Sequence, residues 1–265
     1  MTDAALDVRH DGAALRLTLD RAERRNALDD ATTAALIAEL ERANQDEAVR
    51  VVVLTGRGDD FCAGFDLGTR AADGQARPRV GSIQRRVPAR AHRLVALLCS
   101  IQVPVVAAVR GWAAGIGLHL ALAADFCVAA RDAHLWEPFS ARGFTPDSGG
   151  TWLLPRLVGV ARAKELLLLG RELSGTEAAA WGLIHTAVDA ADVEATADEL
   201  AGRLAAGPTV ALGLTRWLVH AGSGLDLERH LANEALALEL SSRTADFREG
   251  LAALRERRDA RFEGR

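Results

Sequence analysis

"VPVVAAVRGWAAGIGLHLALAADFCVAA", residues 103–130, changes its hydrophobic rhythm three times. VPVVAAV is an apolar run of strand length, and a loop follows at Gly111. A helix is predicted from Gly115 to Ala124, and DFCVAA reads as the next strand. Strand, glycine loop, helix and strand in that order give an α/β fold. The loop between them offers backbone N–H groups to a developing negative charge. His119 stands in an otherwise apolar helix just beyond it.

The same alternation extends outward. LDVRHDGAALRLTLD alternates on both sides of Asp11-Gly12, a β-hairpin pattern. After RAERRNAL, Asp29 or Asp30 caps a helix whose apolar face carries Leu36, Ile37 and Leu40. RVVVLTG is apolar throughout, which predicts a strand covered on both faces. GRGDDFCAGFDLG is a loop, and the Ala/Gly/Arg-rich residues 70–82 read as a mobile segment. One helix is expected over 84–100, and RGFTPDSGG opens another at Thr151. Strands continue to GLIHTAVD, and from Val193 onward the pattern is helical. Two regions follow: a core over 1–192 and a helical portion over 193–265.

Composition narrows the chemistry. A net charge of -4, with no basic run interleaved with aromatics, argues against nucleic acid or an anionic membrane as the main partner. Lys164 is the single lysine, so Schiff-base chemistry would rest on it and phosphate contacts fall to arginine. Cys62, Cys99 and Cys127 are odd in number and lack CxxC spacing, and no metal-ligand cluster is visible, so neither a disulfide framework nor a metal site is expected. No apolar stretch reaches membrane-spanning length and the N-terminal residues lack a signal-like run, so the expected location is cytoplasmic.

FCAGFDL and GWAAGIGL share one logic: each is a glycine loop after a buried strand, able to aim an N–H into a cleft. Two such donors converging on one point form an oxyanion hole. With these segments in their order, and with DRAERRNALD, GFTPDSGGTWLLPRLVG and LLLGRELSGTEAAAWGLIHTAVD, the chain resembles the crotonase (enoyl-CoA hydratase/isomerase) superfamily over nearly its whole length. The resemblance implies a right-handed ββα spiral core with an all-helical C-terminal trimerisation region. It also implies an acyl-CoA ligand, no cofactor beyond that coenzyme A moiety, and self-association as a homotrimer or a dimer of trimers. The oxyanion donors would be the N–H groups of Phe65 and Ile116. Ile116 stands where glycine is usual, which adds bulk and forgoes the freedom of positive φ. Arg24, Arg25, Ala27, Ala63, Phe65, Asp66 and Leu67 match the CoA-contacting parts, with the two arginines near phosphate or adenine. The acyl pocket would be shaped by Ile116, Phe139, Phe144 and residues 70–87.

The departures from the family are chemical. Its hydratases use two glutamates, whose positions hold His119 and Phe139 here. A phenyl ring cannot take up a proton, so two-glutamate hydration is argued against. Asp147 in PDSGG reads locally as a turn or helix-capping aspartate. By resemblance to the family's aspartate-dependent isomerases, the oxepin-forming and dienoyl-CoA isomerases among them, it is the single acid/base. His119 reads either as a pocket residue orienting the substrate or as a core histidine. Glu137 would share a face with Phe139 in an extended segment, and otherwise serves at the surface or structurally. His92 matches a histidine of the family's aryl-CoA dehalogenases, which keeps a dehalogenase-like or hydrolytic reaction as an alternative. A catalytically silent acyl-CoA binder is the other alternative.

Overall fold

The computed structural model describes residues 5–66, 79–222 and 224–265. Of the segment expected to be mobile, 70–78 lies outside the described residues, as does Leu67. The hairpin forms as expected from β1 (Leu6–Asp11) and β2 (Ala14–Leu19), with Asp11 opposite Ala14 and Gly12 at φ +58° in the turn. β3 (Val51–Gly56), β4 (Val105–Val109), β6 (Phe126–Ala130) and β9 (Thr186–Val188) then add in parallel, giving a sheet in the order β1-β2-β3-β4-β6-β9. β3 and β4 are buried along their whole length, which is why both are written in Val, Ala and Leu.

Helix α1 (Asp30–Ala43) packs Leu36 and Leu40 into the core, and of the two candidate caps the structure uses Asp29, whose Oδ1 accepts the Thr32 N–H at 2.7 Å. Replacing Asp29 with Ala is expected to lower stability by about 1 kcal/mol in urea unfolding. The single helix expected over 84–100 is instead three pieces. They are α2 (Ser82–Arg86), a wide π-helical turn over Pro88–His92, and α3 (Arg93–Ser100). Pro88 has no N–H to donate, and the ladder resumes in a wider register with His92 N–H bonding to the Val87 carbonyl.

Helix α4 (Ile116–Ala123) is buried at every residue, consistent with an apolar pattern all round. The helix expected at Thr151 is α5 (Gly150–Leu169), broken at Gly159, whose φ of 75° and ψ of 164° are not helical. A second small sheet was not legible in the sequence: β5 (Trp112–Ala114), β7 (His134–Trp136) and β8 (Leu173–Ser174). Strands of two or three residues are too short to show a period. Ser174 and Glu177 form a capping box at the start of α6 (Gly175–Trp181).

Beyond 193 the chain is helical as expected: α7 (Val193–Ala205), α8 (Thr209–Gly222), α9 (Leu227–Ser241) and α10 (Ala245–Glu256). The first of these belongs physically with the sheet, since α7 buries Val193, Ala197 and Ala201 and packs against β3, β4 and β6. Buried Arg216 fastens α8 to the core, pairing with Asp125 at 2.7 Å and donating to the Leu98 and Ile101 carbonyls. Leu227, Leu231, Leu236, Leu238 and Leu240 of α9 remain exposed on the single chain, as does Leu254 of α10. No helix among the described residues is long and apolar enough to cross a membrane.

Candidate active site

The two glycine loops are joined by backbone. Cys62 N–H donates to Trp112 O at 2.8 Å, and Ala114 N–H donates to Cys62 O at 3.0 Å. Gly64, at φ +100°, lets its backbone pass so close that a Cβ would lie 2.9 Å from Ala114 O. The closest approach is at Gly117, where a Cβ would sit 2.2 Å from Cys62 O. The N-terminal turn of α4 therefore lies directly on the Cys62 loop.

Two N–H groups stand at this junction. Leu28 N–H bonds to Gly64 O at 2.8 Å and Asp66 N–H to Leu28 O at 2.9 Å, so the intervening Phe65 N–H projects from the opposite edge. Ile116 is the first residue of α4, and N–H groups of a first helical turn have no acceptor within the helix. The positive backbone angle falls on the preceding Gly115 (φ 53°, ψ −124°), while Ile116 takes an ordinary negative φ. Isoleucine is thus accommodated because the glycine-only conformation lies one residue earlier.

Both loops line a cavity of about 490 Å³. Ala63, Phe65, Ile116, Phe139, Phe144 and Asp147 are on its wall, and Ile83 and Val87 contribute from the segment before α3. Phe139 and Phe144 meet edge to face at 5.4 Å. Among the described residues, the carboxylates on the wall are Asp30, ion-paired with Arg90, and Asp147, whose Oδ1 accepts the Ser148 hydroxyl at 2.7 Å. Asp147 does not cap α5, whose N-cap is Gly149. The turn it belongs to is tight: Ser148 has φ +53° and Gly149 φ +89°. Asp147 also borders a second cleft of about 600 Å³, shared with His92, Cys99 and Trp152.

The other sequence candidates are distributed around this core. His119 is not on the cavity wall. It is wholly buried, with Nε2 hydrogen-bonded to Oε1 of Glu137 at 2.9 Å. Glu137 is equally buried, so the surface role considered for it is replaced by an internal pairing. Arg24 and Arg25 are exposed and do not line the cavity. The Arg25 carbonyl instead accepts the Ala63 N–H at 2.9 Å, and its guanidinium lies 5.9 Å from the Trp112 ring. Ala27 and Asp66 are both held by Arg21, through the Ala27 carbonyl and the Asp66 carboxylate at 2.9 Å each.

Arg21 and Asn26 are supporting residues that sequence reasoning missed. Asn26 is buried at φ +55° and donates through Nδ2 to the Arg57 and Asp60 carbonyls, fixing the loop after β3. An asparagine inside RRNALD was the available signal, because Asn tolerates left-handed backbone. Arg86, Arg90 and Arg142 also reach the cavity wall.

Cys62 lies inside the first loop, and burial pushes its thiol pKa up to about 12. Cys127 is raised to about 12 by the same cause. Both thiols stay protonated at neutral pH, so neither is a nucleophile. Iodoacetamide at pH 8 should leave Cys62 and Cys127 unmodified in the native protein and alkylate both in denaturant, read by peptide mass spectrometry.

A family model described as enoyl-CoA hydratase/isomerase matches residues 9–265. The chain is 41% identical to 1,2-epoxyphenylacetyl-CoA isomerase of Escherichia coli K12, over 95% of each chain. It is also 41% identical to a probable enoyl-CoA hydratase of Rhodobacter capsulatus, over 94% of each. Among solved structures, enoyl-CoA hydratase from Bacillus anthracis superposes with a TM-score of 0.91 at 34% identity, covering 98% of this chain and all of the other.

Proposed function

The chain belongs to the enoyl-CoA hydratase/isomerase family, and we propose that within it the protein is an isomerase that moves a double bond of an acyl-CoA thioester. The reading rests on one observation: Asp147 lines the same cavity as both oxyanion loops. The positions of the family's two hydratase glutamates offer no second carboxylate there, because His119 lies off the wall and Phe139 cannot take up a proton.

The chemistry needs one carboxylate. Asp147 takes a proton from the carbon α to the thioester carbonyl, or from the γ carbon of a 2-enoyl group, leaving an enolate whose oxygen charge is met by the N–H groups of Phe65 and Ile116. The carboxyl proton of Asp147 exchanges with solvent, and a proton is then delivered to a different carbon of the same enolate, so the double bond moves with no net change in atoms. Chain similarity to an epoxyphenylacetyl-CoA isomerase supports aryl-derived acyl groups as the first to try.

The test is deuterium incorporation in heavy water with a 2-enoyl-, a 3-enoyl-, a dienoyl- and an aryl-CoA, read by mass spectrometry. Label and double-bond movement are expected for at least one. Binding of the panel with neither exchange nor double-bond movement would favour a silent acyl-CoA binder. Added water would favour hydration, in keeping with the relatives named as hydratases. A second reading draws on the cleft that His92 and Asp147 share: halide release or thioester cleavage from an aryl-CoA would favour the dehalogenase-like or hydrolytic alternative.

We also propose self-association as a homotrimer or a pair of trimers through the exposed leucines of the C-terminal helices. Sedimentation equilibrium should give three or six times the chain mass; a monomer mass would remove the proposal.

A further inference from the structure

His119 is the single polar side chain of α4, a helix otherwise made of Ile, Gly, Leu and Ala. It pairs with Glu137 in full burial, yet Nδ1 of His119 and Oε2 of Glu137 find no partner among the described residues. Replacing such a buried polar pair with apolar side chains of similar volume is often neutral or stabilising. The placement of the pair is the more informative observation.

Three site segments meet at this pair. The His119 N–H donates to Gly115 O, which sets the imidazole about one turn along the helix from the Ile116 N–H. Glu137 immediately precedes Pro138 and Phe139 of the cavity wall, and the Phe139 ring lies nearly parallel to the imidazole, 6.0 Å away at 10°. On the remaining side is Gly150, where a Cβ would fall 2.4 Å from His119 Nε2. Gly150 closes the Asp147 turn, its N–H meeting the Asp147 carbonyl at 3.3 Å.

We propose that His119 and Glu137 are positioning residues: their hydrogen bond ties α4 to the Glu137–Phe139 segment and holds the imidazole against Gly150, and so sets the spacing between the oxyanion helix and the Asp147 turn. Neither touches the cavity, and neither is catalytic. The kinetic consequence rests on the isomerase reading: the pair aims the Asp147 carboxylate at the carbons beside a thioester held at Phe65 and Ile116.

The test replaces the pair with apolar side chains, His119→Leu with Glu137→Met. The fold should survive with Tm no lower than wild type. The kcat should fall about 100-fold with KM changed less than about three-fold, the scale of a 1 Å misplacement. Amide hydrogen exchange at Gly115–Gly117 and Ser148–Gly150 should quicken about ten-fold. The conservative Glu137→Gln keeps a hydrogen-bonding group at the same reach and should restore kcat to within about three-fold of wild type.

Wild-type kcat and exchange in the apolar double variant would overturn the proposal. So would a loss in Glu137→Gln as deep as that of Asp147→Asn, because the carboxylate would then act chemically. If the double variant does not fold, Glu137→Met alone stands beside Glu137→Gln: a kcat loss in the first that the second does not show supports the proposal, and wild-type kcat in the first overturns it. If wild type moves no double bond in any acyl-CoA, the isomerase reading fails by itself. Amide exchange, which needs no turnover, then decides the positioning role.

Discussion

Asp147→Asn is expected to lower turnover by at least about 10³-fold, toward the upper end of what one general acid/base supplies, because on the proposed isomerase reading the same group both takes and gives the proton. Binding should survive. Asn keeps the volume and an oxygen that can accept the Ser148 hydroxyl, so the strained turn over Ser148 and Gly149 retains its support. The apparent Kd for acyl-CoA should move less than about three-fold, since the interaction lost is made in the transition state. Paired measurements of kcat, acyl-CoA binding by calorimetry and Tm separate these effects. Retention of a tenth of the wild-type rate would remove Asp147 as the acid/base and turn attention to His92 in the adjoining cleft.

The second large effect belongs to a residue with no functional group. In Gly117→Ala the new methyl would stand 2.2 Å from Cys62 O and 2.8 Å from Cys62 Cβ. Both obstacles are main chain or its first side-chain atom, and Cys62 is fully buried, so neither can rotate away. Helix α4 and the Cys62 loop must separate. That should destabilise the protein by about 3 kcal/mol. Tm should drop by roughly 6–12 °C for a chain of this size. On the isomerase reading, the oxyanion site proposed at the Phe65 and Ile116 N–H groups would be lost, and turnover should fall about 100-fold or more in the folded fraction. Gly202→Ala is the control: it lies in α7 with nothing within 4 Å of its Cβ position, and it should be neutral or slightly stabilising. Unchanged kcat in folded Gly117→Ala would mean that the two loops do not act together.

The order of elements was legible from residue types because a parallel sheet buried on both faces must be written in long apolar runs, as in Val51–Leu54 and Val105–Val109. The cap at Asp29 and the glycine loops were legible for a similar reason: both obey rules set within one turn of chain. Asp147 was found through a motif resemblance, while its local surroundings alone spoke for a turn. The π-helical turn at Pro88 and the two- and three-residue strands of the small sheet were hidden, since neither leaves a period to read.

Tertiary structure alone decided who meets whom. Arg21 reaches Asp66 across 45 positions and His119 reaches Glu137 across 18. It also decided that Asp147 rather than His119 faces the cavity, and that Gly115 carries the positive φ that Ile116 could not. Hydrophobic pattern is a property of neighbours within a few residues. Pairing of polar groups depends on which loops the stacked strands deliver to one end of the sheet, and that is settled only when the core closes.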